Sequence, residues 1–317
     1  MLQYLIILLD DTSCSFCHYE NPKTERRLIP IETLRQGIRF GMMENLMIQY
    51  VYPDYELPTE YDDVIESIDH SKIKSLSHSY QKEGSADADV LVLNGFENPG
   101  TVEVPVVLRV SKLELLANET KVRELLGKVP RLNVVITDVE NLTDDDFGKY
   151  KAFLQQLSTK TEQMYVDGKA PQLNLLTDRM MLKEMNNCGA GDTNITLAPN
   201  GKFYVCPAFY YEDEADSVGD LEHGLDIKNK QLYKLDHAPI CRHCDAWQCK
   251  RCIWLNRKTT LEVNTPSHEQ CVVAHLERNA SRELLANIRK HGTFLPEQEE
   301  IKEIDYLDPF DKRDEWQ

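Results

Sequence analysis

Cys241-Arg242-His243-Cys244-Asp245-Ala246-Trp247-Gln248-Cys249-Lys250-Arg251-Cys252 sets four cysteines at Cys-x2-Cys-x4-Cys-x2-Cys. Working outward, Cys271 follows after 18 residues, and a gap of 34 leads back to Cys206. Before that the pattern is Cys188-x12-Gly201-x4-Cys206. A Cys-x2-Cys turn sets two thiolates on one metal ion or one cluster edge. A hairpin with Gly at its tip adds a further ligand from its return strand. Unpaired reactive thiols are a redox liability, so ligation is the economical reading of this block. Zinc takes four such ligands in a tetrahedron. A zinc ribbon, however, separates its Cys-x2-Cys pairs by roughly 12–20 residues. Tight successive cysteines with ligands shared between distant segments suit iron–sulfur clusters better. A structural zinc module remains the alternative.

The rest of the chain sets the class. Of 317 residues, 36 are Lys or Arg and 53 are Asp or Glu, a net charge of −17. Such a balance argues against tracking nucleic-acid phosphates and against an acidic membrane surface. The apolar run Tyr4–Leu9 is closed by Asp10 and Asp11, far short of the ~20 residues a membrane span needs. It has no basic region before it and no small-residue cleavage site after it, which predicts a cytoplasmic protein. Nine cysteines are too few for a disulfide scaffold. In a reducing compartment, clustered cysteines point to metal or redox chemistry.

The length favours about two domains. Apolar, β-rich runs fall at 4–9, 46–52, 90–93, 104–110, 132–137 and 173–176. Helical spacing lies between them: Ile31, Leu34, Ile38 and Met42; then Leu115, Val122 and Leu126; then Phe147, Tyr150, Leu154 and Leu157. The third stripe opens on Thr143-x-x-Asp146, a capping box. Buried strands alternating with amphipathic helices predict parallel βα units, as a partial barrel or an open sheet. The polar stretch 71–89 reads as a loop. Asn194–Leu197 and Lys202–Val205 flank Ala198-Pro199-Asn200-Gly201 and predict a hairpin with an Asn-Gly turn. Val273–Ile288 predicts a closing helix. The boundaries are therefore an α/β domain over 1–184, a Cys-rich domain over 185–290, and an acidic tail over 291–317.

Directly after the first strand comes Asp10-x3-Cys14-Ser15-Phe16-Cys17-His18-Tyr19. Alone, a Cys-x2-Cys is equally a pair of ordinary reduced thiols. Other residues have bland readings beside functional ones. His243 reads as a ligand or as a donor to a cluster sulfur. Trp247 and Trp254 read as packing over a cluster. Gly189-Ala190-Gly191 lacks the Lys-Ser/Thr of a phosphate loop and reads as a flexible approach. Asp138 and Glu140 read as a barrel-mouth pair or a solvated loop. No Ser/His/Asp or Cys/His hydrolase set is evident.

The seven-cysteine block resembles the SPASM domain of peptide-modifying radical SAM enzymes, with the last two spacings of the four-cysteine run one residue shorter. The resemblance assigns Cys188, Cys206 and Cys252 to a first auxiliary 4Fe-4S cluster, which then has three Cys ligands. It assigns Cys241, Cys244, Cys249 and Cys271 to a second. It implies a radical SAM partial (β/α) barrel before the block. There Asp10, Cys14 and Cys17 occupy the Cys-x3-Cys-x2-Cys positions for a third 4Fe-4S cluster with S-adenosylmethionine. Two departures stand out. Asp10 replaces the first Cys, and Tyr52-Pro53-Asp54-Tyr55 replaces a Gly-Gly-Glu-type turn after the second strand. Together, the Leu9–Tyr19 opening, the 52–55 turn and the seven-cysteine block resemble the CXXX repeat peptide maturases, a variant radical SAM/SPASM family. That implies a ribosomally made Cys-repeat precursor peptide as partner, and a small electron-donor protein. The alternatives are a non-catalytic iron–sulfur scaffold or electron relay that binds the peptide, or the zinc-stabilised interaction module.

Overall fold

A computed structural model describes residues 2–76, 87–100 and 102–301. The chain forms two compact units, each drawn from separate segments. The first takes its described residues from Met1–Val110, Lys128–Thr137 and Gly189–Ala238. The second takes them from Ser111–Gly127, Asp138–Cys188 and Pro239–Gln317.

The first unit is built on a sheet. Its strands are β1 (Tyr4–Leu8), β2 (Met47–Val51), β3 (His70–Ser75), β4 (Val90–Asn94), β5 (Val106–Val110) and β6 (Arg131–Ile136), with β8 (Asn194–Leu197) and β9 (Phe203–Tyr204) later. They lie in the order β6-β5-β4-β3-β2-β1-β8-β9. All neighbours are parallel except β8 and β9. Leu5, Ile7 and Leu8 are wholly buried, as a strand covered on both faces requires. β1 pairs from Tyr4↔Met47 to Leu8↔Val51 on one side and from Tyr4↔Asn194 to Ile7↔Leu197 on the other. Helix α1 (Ile31–Met43) buries Leu34 and Ile38 in the same core. The Asn-Gly hairpin forms as expected, with Gly201 at φ +78.

One stretch differs from expectation. The polar segment read as a loop contains β3, a strand inside the sheet between β2 and β4. Its sequence HSKIKS buries Ile73 alone. Lys72 and Lys74 instead pair with the carboxylates of Glu66 and Asp87. Residues 77–86 of that stretch lie outside the described residues, as do residues 302–317 of the expected acidic tail. A short antiparallel pair, β10 (Gly219–Asp220) and β11 (Gly224–Leu225), also belongs to this unit, as does α7 (Pro207–Glu212).

The second unit is mainly helical. The single stripe expected over 115–126 is two helices, α3 (Lys112–Ala117) and α4 (Glu119–Leu126), broken at Asn118. Helix α5 (Asp144–Val166) starts at the Thr143/Asp146 capping box and buries Tyr150, Leu154 and Leu157. The expected strand 173–176 shrinks to β7 (Gln172–Leu173), followed by a turn into α6 (Thr177–Met181). Helix α8 (Ile253–Thr260) precedes α9 (His268–Ile288), which begins one turn before the predicted closing helix. Ser267 caps α9 by accepting from Gln270 N. Tyr150 on α5 donates to Glu277 on α9 at 2.7 Å. Among the described residues, no helix is long and apolar enough to cross a membrane.

Candidate functional site

In the second unit, Cys241, Cys244, Cys249 and Cys271 line one cavity, together with Arg251 and His275. Local backbone turns present them. Cys241 opens a short 3-10 turn, and Cys244 N donates to Cys241 O at 3.1 Å. Cys249 N donates to Ala246 O at 2.9 Å. Arg251, between the last two cysteines of the run, has φ +46. Cys271 sits in the first turn of α9, its N–H on Ser267 O at 3.2 Å. Ala246 N lies 3.4 Å from Cys244 Sγ, and His275 Nε2 lies 3.6 Å from the same sulfur.

Burial pushes the Cys249 thiol up to about 12 and the Cys241 thiol up to about 11, the Arg251 charge working against the rise at Cys241. A bound metal reverses that preference by deprotonating its thiols outright. Four soft donors on one cavity, with a buried cation and an imidazole beside them, fit a thiolate-held iron–sulfur group. Among the described residues, no three Cys, His, Asp or Glu side chains gather closely enough for one metal ion. Cys188, far off in sequence, donates its N–H to Lys250 O at 3.0 Å, in the loop that carries Cys249 and Cys252.

The first unit holds the other cysteine pair, in the loop that leaves β1. Asp10 is fully buried. Its Oδ1 accepts from Thr12 N at 2.8 Å and Thr12 Oγ1 at 2.6 Å, and its Oδ2 accepts from Tyr55 OH at 2.9 Å. Oδ1 thus accepts two hydrogen bonds and Oδ2 one, which leaves one acceptor site of the carboxylate, on Oδ2 beside Tyr55 OH. These bonds fold the loop and anchor the 52–55 turn. Cys14 N bonds Tyr52 O at 3.0 Å, and burial pushes its thiol up to about 12, against the pull of Arg109.

Arg109 is the site residue that sequence reading missed. It is buried in β5. Its guanidinium donates to Cys17 O at 2.8 Å, Tyr19 O at 2.7 Å, Asn94 Oδ1 at 2.6 Å and Glu20 Oε1 at 2.6 Å. It thus fixes the backbone just past the second cysteine. Asp11 is held by Arg27 at 2.8 Å and by Tyr210 of α7. Tyr211 stacks on Tyr19, ring centroids 5.6 Å apart. Cys206 stands at the N-cap of α7 in this same unit.

The remaining expectations resolve individually. His243 is exposed; the imidazole beside a cavity cysteine is that of His275. Trp247 lies under the Arg179 guanidinium at 4.0 Å and Trp254 under Lys258 at 5.2 Å, so both rings have cations as neighbours. Gly189 and Gly191 adopt φ +65 and +77, and Gly189 O accepts from three successive N–H groups over 192–194. Asp138 accepts from Lys112 N at 2.7 Å and Glu140 from Lys258 at 2.7 Å, which makes them ordinary structural partners.

No protein family description and no curated protein matches the chain. Solved structures do. Native anSMEcpe with bound AdoMet and a Cp18Cys peptide aligns with TM-score 0.64 at 12% identity, over 92% of this chain and 100% of that one. The same protein, His-tagged and with AdoMet, gives 0.62 at 13% over 92% and 96%. Its complex with AdoMet and a Kp18Cys peptide gives 0.62 at 15% over 90% and 99%. The fold is of the radical SAM type. At these identities the likeness is one of fold, and the chemistry rests on the residues themselves. The loop after β1 carries Cys14 and Cys17, and Asp10 before them is buried.

Proposed function

We propose that this chain is an iron–sulfur protein of the radical SAM fold that takes part in maturing a ribosomally made Cys-repeat peptide. The observation that carries the reading is the convergence of Cys241, Cys244, Cys249 and Cys271 on one cavity. These four hold one 4Fe-4S cluster, within a cluster-bearing region over 185–290, and the resemblance supports a further cluster with Cys ligands from the same region. A peptide partner is supported by anSMEcpe, which shares the fold and has been solved with peptides bound. When bound, such clusters supply one-electron transfer. The protein's own contribution is to bury the thiols and to hold the loop 241–252 in shape.

A second reading is a peptide-binding scaffold and electron relay, fed by a small electron-donor protein, instead of an enzyme that cleaves S-adenosylmethionine; it is supported by the hard carboxylate of Asp10, held by three hydrogen bonds, standing where the resemblance expects a soft thiolate. Protein purified without oxygen should be brown and carry about four irons for each filled cluster. A colourless protein with stoichiometric zinc from iron-replete cells overturns the iron–sulfur reading. Calorimetry with S-adenosylmethionine, then assay for 5′-deoxyadenosine under reduction, separates scaffold from enzyme. The scaffold produces none, and replacing Asp10 by Cys does not restore it. Robust 5′-deoxyadenosine from the wild type sinks the scaffold reading.

A further inference from the structure

Two cavity residues carry no thiol. Arg251 is 3% exposed, shares the lining with all four cysteines, and exerts its charge on Cys241. His275 stands one turn beyond Cys271 on α9, with Nε2 3.6 Å from Cys244 Sγ. A buried cation is a poor device for stability, because desolvating it costs several kcal/mol or more. Its value lies in what it does to nearby negative charge. Reduction of a four-thiolate cluster by one electron adds one negative charge to the cavity and moves no bond. A fixed cation at the wall stabilises the reduced form more than the oxidised one, since the interaction scales with charge in a low dielectric. In the tautomer protonated on Nε2, His275 would present a donor to that sulfur, and hydrogen bonds to the sulfurs are an established lever on cluster potential. Glu277, buried two residues further along α9, acts on Cys249 in the opposite sense when ionised.

Resting on the iron–sulfur reading above, we propose that Arg251 and His275 raise the reduction potential of the cluster held by Cys241, Cys244, Cys249 and Cys271, so that it accepts an electron. Arg251 supplies the larger share as a full charge; His275 supplies an N–H to the Cys244 sulfur. The electron comes from a one-electron reductant, dithionite in the test below, and the step is one-electron reduction of this cluster. Both are positioning residues, since neither binds iron.

The test is a dithionite titration of the anaerobically reconstituted full chain, followed by electron paramagnetic resonance. The relevant signal is the one that Cys244→Ser removes. Arg251→Gln should lower the equilibrium constant for reduction by roughly tenfold, about 59 mV for one electron. His275→Phe should lower it by a smaller factor. Arg251→Lys, which keeps the charge, and His275→Gln, which keeps an N–H, should stay near the wild type. Unmoved midpoints in Arg251→Gln and His275→Phe, each with wild-type iron, overturn the proposal while leaving the cluster in place. A wild type that shows no such signal sinks the iron–sulfur reading instead.

Discussion

Arg109 occupies the fourth place of the strand Val-Val-Leu-Arg-Val, where every position is buried. A guanidinium survives there because four of its five N–H donors aim at acceptors, two of them carbonyls of the cysteine loop. Arg109→Leu removes the guanidinium from Tyr19 O, Cys17 O and Asn94 Oδ1, at about 1–3 kcal/mol for a lost bond to a charged group. Chemical denaturation should show a loss of about 3 kcal/mol or more. Arg109→Lys should recover only part, because an ammonium cannot span the same fork. The sequence does carry a signal here, a lone Arg inside an apolar run, but a run of that kind reads as strand before it reads as site. Asp10 shows the converse. Its place in the cysteine pattern was plain, yet its partners come from Thr12 and from Tyr55 across the fold, and spacing cannot say where two carboxylate oxygens point.

Glu277 gives the clearest pH dependence. Burial pushes its carboxyl up to about 7, with hydrogen bonds from Tyr150 and Gln248 opposing the rise. Its folded pKa lies above the unfolded one, so the native state keeps a proton that the unfolded chain releases. Stability from this group is full below about 4.5, falls as pH rises, and levels off above about 7. Glu277→Gln keeps a neutral amide throughout. Unfolding free energies measured from pH 4.5 to 8 should fall less in the variant than in the wild type, by roughly 2–3 kcal/mol across the range. Parallel curves would show that the carboxyl ionises as freely in the fold as outside it.

Helix α1 shows how closely an element can be tied to its sheet. A Cβ on Gly37 would stand 2.4 Å from Leu197 Cδ2, and one on Gly41 would stand 2.8 Å from Ile48 Cδ1. Both neighbours are buried. Gly41→Ala should therefore destabilise by about 1–3 kcal/mol despite alanine's better helix propensity, seen as a lower Tm. Thr143→Ala at the head of α5 removes a cap that accepts from Asp146 N, at a cost of about 1 kcal/mol. These elements were legible because α1, α5, β1 and β2 bury faces at regular spacing. β3 was not, since its lysines are satisfied by Glu66 and Asp87, partners a period-two pattern does not register. The break at Asn118 escaped because Leu115, Val122 and Leu126 keep helical phase across it.

For the whole molecule, cysteine density suggested one cut near residue 185, while packing interleaves segments from both sides of it. Composition reports what a segment contains; contacts over long separations decide what it joins. The central position of β1 makes this concrete. Its neighbours are β2 on one side and β8 on the other, and β8 begins 190 residues after Tyr4. During synthesis the first strand waits with one edge bare until Leu197 has left the ribosome. At about 5–20 residues per second that delay is on the order of ten seconds or more. An uncovered strand edge recruits other chains during such an interval. A nascent chain stalled before Asn194 should be a better chaperone substrate than one released after Tyr204, measurable by crosslinking on stalled ribosomes.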